Sequence, residues 1–324
     1  MNLAEPSFFQ TIISFIMNLL IAIVFFVLSF FGISTEGVEV FGSSSPVPAY
    51  EEPAASTVVA GEIAQSSGDL VNAAWLSTQL DDPNLRIVAV APTSDFQTGH
   101  IPGSSQVGYS VFDITDTSAA GLGTWESKIS STMTALGITP DSTVVVYDYG
   151  THYSPRLWWV LKQFEQANVY VLDGGYQSWV STSLDVETGL PQTPSPSAPY
   201  DASPDLSATA DISSVQAAIG SSDTAIVDAR SPEEYAAGHI PGAINIPFTD
   251  NYAADGTLLD IDALTTLYAS QGVTPDLAVI VYCSTGVRAA SDVFALEYLA
   301  YPDVSLYLGS YNEWSADPSL PIEK

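Results

Sequence analysis

The segment of this chain with the clearest potential for chemistry surrounds its only cysteine, Cys283. A β-branched apolar run (279–282) precedes the cysteine, and a segment with helical spacing (289–299) follows the next arginine. A strand, a short loop and a helix direct backbone N–H groups and a helix N-terminus at one point, which attracts anions and favours a thiolate. Cys283 is therefore a candidate nucleophile. The loop that would hold an anionic sulfur adduct consists of Ser284, Thr285, Gly286, Val287 and Arg288.

Other kinds of cysteine or metal site fit this segment less well. A cysteine after a buried strand is often only a small core residue, but the nearby glycine and arginine favour catalysis. Four residues separate Cys283 from Arg288, whereas cysteine phosphatases place five in a related loop, so phosphatase chemistry is disfavoured. A single cysteine excludes a cysteine-rich zinc site, and the three histidines lack metal-ligand spacing. We expect neither a metal nor a cofactor.

The charge balance disfavours two kinds of partner. The chain has 324 residues, of which 37 are Asp or Glu and 7 are Lys or Arg, for a net charge of −30. Such a surface repels nucleic acid and anionic lipid. The acidic residues are scattered, which is typical of a surface adapted to high salt or to an outside-facing compartment.

The N-terminal part predicts a membrane anchor. Residues 8–33 form an apolar run without a charged side chain, and a bilayer requires about 20 such residues. A cleaved signal peptide is the alternative, but Glu5 and the absence of Lys and Arg before the run disfavour it. We expect residues 1–33 to be a short tail and transmembrane helix, and 34–62 a Pro/Ser/Ala-rich tether. The acidic flank favours a single-pass protein of the cell membrane with its soluble part on the extracytoplasmic side.

The remainder of the chain is an internal repeat. Gly-His-Ile-Pro-Gly occurs at 99–103 and again at 238–242. A Gly-x-Thr-Pro-Asp motif followed by a β-branched run occurs at 137–141 and at 272–276. A period this long indicates two homologous domains rather than a solenoid. The predicted boundaries are 63–190 for the first domain, 191–207 for a Pro/Ser-rich linker and 208–324 for the second domain.

Each repeat predicts a parallel α/β sheet. Short apolar strands alternate with helical segments, which is the pattern of βαβ units. The predicted strands are 86–90, 144–147, 169–172, 225–227, 279–282 and 304–308, and the predicted helices are 157–166, 261–271 and 289–299. Active residues are then expected beyond the C-terminal ends of strands, where Cys283 lies. The predicted fold class is α/β, with two such domains, each a parallel sheet flanked by helices, after one transmembrane helix.

Several separated motifs together resemble the tandem-domain rhodaneses, which are thiosulfate and 3-mercaptopyruvate sulfurtransferases. These motifs are Asp-Ala-Arg-Ser-Pro-Glu-Glu-Tyr at 228–235, Gly-His-Ile-Pro-Gly-Ala at 238–243, Cys-Ser-Thr-Gly-Val-Arg at 283–288 and Gly-Ser-Tyr-Asn-Glu-Trp at 309–314. The resemblance covers about residues 63 to 324 and leaves the predicted anchor outside. It implies two rhodanese-like domains, of which the second is catalytic.

The resemblance also implies roles for individual residues. Cys283 would accept a sulfane sulfur, and the loop after it would hold the persulfide through N–H groups. Arg230 would bind the anionic substrate, and Asp228 and Glu234 would support the loop through hydrogen bonds.

In the first repeat, Asp148 occupies the place of Cys283. An aspartate cannot carry sulfur, so the first copy is expected to be structural. Arg156 follows eight positions later and is not a direct equivalent of Arg288, although a place at the domain interface is left open for it.

The activity implied by the resemblance is a two-step transfer of sulfur from thiosulfate to cyanide, a small thiol or a protein thiol. Arg288 favours thiosulfate over 3-mercaptopyruvate, because loops of the second type end in threonine at this position. The alternative from another class is a membrane-tethered binding or assembly subunit of a larger membrane complex.

Overall fold

The computed structural model describes residues 68–114, 116–190, 199–201 and 203–324. The predicted anchor at 8–33 and tether at 34–62 lie outside these residues, so both stay predictions. Within the described ranges, no helix is both long enough and apolar enough to cross a membrane. The predicted domain boundaries likewise stay predictions.

The first domain is built on five strands, of which three correspond to the predicted strands at 86–90, 144–147 and 169–172. The strands are β1 (Leu70–Val71), β2 (Leu85–Val90), β3 (Ser105–Val107), β4 (Thr143–Tyr147) and β5 (Asn168–Leu172). The helices are α1 (Ala73–Ser77), α2 (Thr93–Thr98), α3 (Ala119–Ala135), α4 (Ser154–Gln163) and α5 (Gly175–Ser181), with a 3₁₀ turn at Tyr109–Phe112.

The second domain repeats this order of elements. Its strands are β6 (Thr209–Ala210), β7 (Thr224–Asp228), β8 (Ile244–Asn245), β9 (Ala278–Tyr282) and β10 (Val304–Tyr307). Its helices are α6 (Ile212–Ala218), α7 (Pro232–Ala237), α8 (Ile261–Ser270), α9 (Ala289–Tyr298) and α10 (Ser310–Ala316), with a 3₁₀ turn at Phe248–Asn251.

Both sheets have the same topology. The strand orders are β1-β5-β4-β2-β3 and β6-β10-β9-β7-β8, and every pair of neighbouring strands is parallel. The strands β4 and β9 lie at the centres of their sheets and are buried on both faces, which explains their uninterrupted β-branched runs. The C-terminal ends of these two strands therefore occupy equivalent places in the two domains.

One hydrophobic cluster joins the two domains. It contains the inward-facing residues of both sheets and the buried faces of α4 and α9, while each outer face has a cluster of its own. Trp158 and Phe294 meet edge to face at this junction, with ring centroids 4.8 Å apart. Since side chains alternate along a strand, Val281 and Cys283 belong to the shared inner cluster, and Tyr282 belongs to the outer cluster of the second domain.

Candidate active site

Cys283 is the first residue after β9 and lies in the shared inner cluster. Its side chain is only 1% exposed. The backbone N–H of Gly286 donates to its sulfur at 3.1 Å, and its own N–H donates to Ser310 Oγ at 3.3 Å. The loop that follows the strand thus places one of its N–H groups on the sulfur, where the sequence pattern predicts several.

Gly286 allows the loop to take this shape. Its φ of +85° lies in the left-handed region that side chains rarely adopt. A Cβ at this position would lie 3.3 Å from a Leu306 methyl group and 3.5 Å from Arg156 Nη1. After the loop, α9 begins at Ala289, and the positive end of its dipole favours negative charge near the sulfur.

Arg288, which ends the loop, is engaged by a carboxylate. Its Nη1 and Nη2 donate to the two oxygens of Glu234 at 2.6 and 2.8 Å, and Nη2 also donates to Ser284 Oγ at 2.8 Å. The Arg288 hydrogen bonds lower the pKa of Glu234 to about 2. The charge of Arg288 is therefore largely balanced before any substrate binds.

The position of Glu234 follows from the start of α7. Ser231 is the N-cap of that helix, Pro232 is its first residue, and Glu234 completes a capping box. The Ser231 N–H donates to Glu234 Oε2 at 3.2 Å, and the Ser284 hydroxyl donates to Glu234 Oε1 at 3.3 Å. The motif that caps the helix thus also supports the loop, which is the role expected for Glu234.

The structure places Arg230 differently from the sequence expectation. Its side chain is buried, and its Nη2 forms a salt bridge of 2.6 Å with Asp228, which also accepts the Tyr282 hydroxyl at 2.6 Å. The guanidinium stacks on the Tyr311 ring at 3.9 Å, on the outer side of the sheet from the Cys283 sulfur. This geometry supports a structural role for Arg230 instead of substrate binding, and Asp228 contacts the arginine and Tyr282 rather than the loop.

Arg156 is the cation that sequence reasoning did not assign to the site. It comes from α4 of the first domain, is fully buried and lies beside the loop, with Nη1 3.5 Å from where a Gly286 Cβ would be. Its Nη2 donates to the Phe112 carbonyl at 3.0 Å, whereas its Nε and Nη1 have no hydrogen-bond partner among the described residues. Burial lowers the pKa of Arg156 to about 10, and the nearby Cys283 acts in the opposite direction.

Asp148 occupies the equivalent place at the end of β4, as the repeat predicts. Its Oδ1 accepts backbone N–H groups from three successive residues at 2.9, 3.0 and 3.1 Å, namely Gly150, Thr151 and His152. Its Oδ2 accepts the N–H and the hydroxyl of Ser154 at 2.9 and 2.7 Å. The first domain therefore keeps an anion-binding loop, but its own carboxylate fills it.

A cavity of about 290 Å³ lies next to the Cys283 loop, and we refer to it as the vestibule. Ile114 and Thr117 of the first domain line one side. The other side is formed by the second domain, through Ser284, Thr285, Asn312 and Glu313. The vestibule reaches the loop from the side of α10, whose Asn312 N–H donates to the Ser284 carbonyl at 3.2 Å.

Comparison with known proteins is consistent with this architecture. A 3-mercaptopyruvate sulfurtransferase of Escherichia coli is 31% identical over 277 residues, which cover 78% of this chain and 97% of that protein. A thiosulfate sulfurtransferase of Pseudomonas aeruginosa is 30% identical over 257 residues, or 76% of this chain and 94% of that protein.

A similar fold is present in a solved structure. The crystal structure of the 3-mercaptopyruvate sulfotransferase SseA from Escherichia coli matches with a TM-score of 0.66 and 29% identity, over 76% of this chain and 99% of that one. The model of the rhodanese-like domain matches this chain twice, at residues 72–182 and 211–317. The chain therefore belongs to the rhodanese family and contains two rhodanese-like domains.

Proposed function

We propose that this protein is a sulfurtransferase that moves a sulfane sulfur from an anionic donor to a thiophilic acceptor through a persulfide on Cys283. The observation that carries the proposal is the combination of this sulfur with an unpaired guanidinium. The Cys283 sulfur accepts the Gly286 N–H, and the unpartnered Nη1 of Arg156 lies beside the same loop, 3.5 Å from where a Gly286 Cβ would be. Two relatives, 31% and 30% identical to this chain, are named as sulfurtransferases, which supports the same class of enzyme.

In the first half-reaction, the Cys283 thiolate attacks the outer sulfur of thiosulfate. A new S–S bond forms, the original S–S bond breaks, and sulfite leaves with the bonding electron pair. The outer sulfur of the resulting persulfide is anionic, and loop N–H groups, the α9 dipole and Arg156 stabilise it. Because Cys283 is only 1% exposed, the donor reaches the sulfur only if the surrounding side chains move apart.

In the second half-reaction, a thiolate or cyanide attacks the outer sulfur of the persulfide. The bond between the two sulfurs of the persulfide breaks, and Cys283 leaves as the thiolate with the bonding pair. The acceptor carries the sulfur away, and the free enzyme is regenerated. The two half-reactions make the kinetics ping-pong.

Thiosulfate is the first candidate donor, as the loop ending in Arg288 suggests. A specific observation also favours 3-mercaptopyruvate as a second candidate. Glu234 balances Arg288, whereas Arg156 forms no salt bridge within the described part of the chain and interacts with the Asp113 carboxylate only at longer range. A single unpaired cation matches a monocarboxylate better than a dianion. Both names occur among the relatives, so the donor must be determined by assay.

The proposal includes the membrane anchor at residues 8–33 and an extracytoplasmic location for the two domains. The support is the uncharged apolar run and the acidic residues after it. Extraction of membranes at alkaline pH should leave the full chain in the pellet and release a variant that begins at residue 34. Recovery of stoichiometric partners with detergent would instead favour the alternative of an assembly subunit.

The decisive experiment is intact-mass spectrometry of the protein after incubation with thiosulfate or 3-mercaptopyruvate. The wild type should gain about 32 Da, the mass of one sulfur, and cyanide should remove it. Cys283→Ser should gain nothing. A folded wild type that gains no sulfur from either donor would contradict the proposed function.

A further inference from the structure

We infer that the vestibule is the acceptor site of this protein and that Glu313 makes it select small thiols that carry a positive charge. The inference rests on the proposed persulfide at Cys283 and specifies the partner of its second half-reaction. It follows from the position of the vestibule, from the charge of its lining and from the contrast with the other side of the loop.

The helix α10, which lines the vestibule, is hydrogen-bonded to the backbone of the Cys283 loop. Ser284 and Thr285, which line it, follow Cys283 directly. The Tyr311 N–H in α10 donates to the Cys283 carbonyl at 3.0 Å, and the next N–H of that helix donates to the Ser284 carbonyl at 3.2 Å. A small molecule in the vestibule therefore lies beside the persulfide loop, on the side of α10.

Glu313 gives the vestibule a negative charge that no cation balances. Its two carboxylate oxygens accept the hydroxyl groups of Thr117 and, at 2.6 Å, of Tyr307. These donors are neutral, and none of the salt bridges formed within the described residues includes Glu313. Two other carboxylates near the Cys283 loop differ, because Glu234 pairs with Arg288 and Asp228 pairs with Arg230.

The two sides of the loop thus have opposite charge. The buried side next to Gly286 contains the unpaired guanidinium of Arg156, which suits an anionic donor. The vestibule contains the unpaired carboxylate of Glu313, which repels anions and attracts an ammonium group. The negative charge of Glu313 would keep sulfite and other anions out of the vestibule until a thiol reacts with the persulfide.

The chemistry of the acceptor step is balanced without a further reactant. The acceptor thiol loses its proton to solvent, and its thiolate sulfur attacks the outer sulfur of the persulfide. One S–S bond forms in the product persulfide, and the S–S bond to Cys283 breaks with the electron pair staying on the cysteine. Glu313 takes no part in bond making and acts by placing the charged end of the acceptor.

The test uses full-length protein loaded with sulfur by thiosulfate or 3-mercaptopyruvate, whichever forms the persulfide, then mixed with one of three two-carbon thiols. Cysteamine is cationic, 2-mercaptoethanol is neutral and 2-mercaptoethanesulfonate is anionic. The loss of the persulfide is followed by mass spectrometry in the wild type and in Glu313→Gln. The ratio of the variant rate to the wild-type rate for each thiol cancels the intrinsic reactivity of that thiol.

Glu313→Gln should slow the reaction with cysteamine about three- to tenfold and accelerate that with 2-mercaptoethanesulfonate by a similar factor, as expected for one partly screened charge. The rate with 2-mercaptoethanol should change by less than about twofold. Glu313→Asp, which keeps the charge, should retain the wild-type preference. Glu126→Gln is the matched control, because that carboxylate binds the Ser203 hydroxyl outside the vestibule.

Equal slowing of all three thiols by Glu313→Gln would overturn the inference and assign Glu313 a structural role. Unchanged rates for all three would also overturn it. Both results leave the persulfide intact as an intermediate, so the proposed function would survive them. A folded wild type that forms no persulfide with either donor would remove the proposed function itself, together with this inference.

Discussion

Arg156 has the most unusual environment of any charged residue near the site. A fully buried guanidinium with two unpartnered nitrogens is costly, because its lost hydration is not replaced. Its contact with the Trp159 ring, 4.8 Å from the centroid, compensates only in part. Because Arg156 destabilises the fold and lies beside the candidate nucleophile, we infer that it serves to bind anions.

The substitution Arg156→Met separates the effect of Arg156 on stability from its effect on anion binding. Removing the buried charge should raise the free energy of unfolding by about 1–3 kcal/mol, because an apolar side chain of similar length suits the site better. The same change should lower kcat/KM for an anionic donor roughly 100-fold, since a preorganised donor group is lost. Urea unfolding and donor kinetics measure the two quantities. A loss of stability without a kinetic defect would show that Arg156 is structural.

Replacement of Arg230 should have the opposite effects, with a large loss of stability and little change in substrate binding. Arg230→Met leaves Asp228 buried without its ion-pair partner, so the free energy of unfolding should fall by about 3–5 kcal/mol. The KM for thiosulfate of the folded fraction should stay within about twofold of the wild type, because the guanidinium lies on the other side of the sheet. Adding Asp228→Asn should restore part of the stability. A large rise in KM would instead support the substrate role expected from the sequence.

The residues of the site differ in how far the sequence could predict them. The loop from Cys283 to Arg288 is contiguous, so its spacing alone predicted its geometry. Arg156 reaches the same place only through packing of α4 of the first domain against the second, which no local pattern encodes. Arg230 was assigned a substrate role by resemblance, and its aromatic surroundings come from Tyr282 and Tyr311, which are distant in sequence.

At the scale of elements, α7 and the Cys283 loop are coupled through Glu234. The salt bridge to Arg288 lowers the pKa of Glu234 to about 2 from an ordinary value of 4.5. A depressed pKa in the folded state stabilises the protein above the ordinary value, and this contribution is lost as the pH falls from about 4.5 toward about 2. The salt bridge between Glu234 and Arg288, which holds the loop, should therefore weaken in acid.

Glu234→Gln tests this coupling. The free energy of unfolding of the wild type should exceed that of the variant by a constant amount above about pH 5, and the difference should shrink below about pH 4.5. Chemical unfolding at several pH values measures it. Glu126→Gln, whose carboxylate accepts a hydroxyl rather than an arginine, is the control. A difference that grows on acidification would contradict the salt bridge as its source.

The central elements of both sheets were predictable, whereas the edges were not. The predicted strands at 86–90, 144–147 and 279–282 lie within one residue of β2, β4 and β9. Their buried β-branched runs are a strong local pattern. The edge strands β1, β6 and β8 have two residues each, too few to show a periodicity. They are fixed by pairing with neighbours that are distant in the chain.

At the scale of the whole molecule, the net charge of −30 is the dominant property. Like charges destabilise the compact state, and salt reduces this repulsion because the screening length falls from about 10 Å at 0.1 M to about 3 Å at 1 M. The Tm should therefore rise between 0.1 and 1 M KCl, and kcat/KM for thiosulfate should rise or hold over the lower part of this range. A steep fall of either quantity would contradict this electrostatic picture. Differential scanning calorimetry and initial rates measure them.

The family predicted from motifs of the second repeat is shown by the family model, which matches both halves of the chain, and the relatives support the sulfurtransferase class. The preference for thiosulfate, which rested on arginine in place of threonine at position 288, is not resolved, because relatives named for either donor are similar to this chain. The membrane anchor stays a prediction, since residues 8–33 lie outside the described part of the chain.

The carboxylate of Asp148 makes the first domain a permanently liganded copy of the second. Five donor contacts close on a charge that is part of the chain and never dissociates. Of the two equivalent loops after β4 and β9, the one after β4 is therefore closed to external anions by its own side chain. Under the proposed function, external anions would be directed to the loop after β9, and the first domain would contribute Arg156 to it.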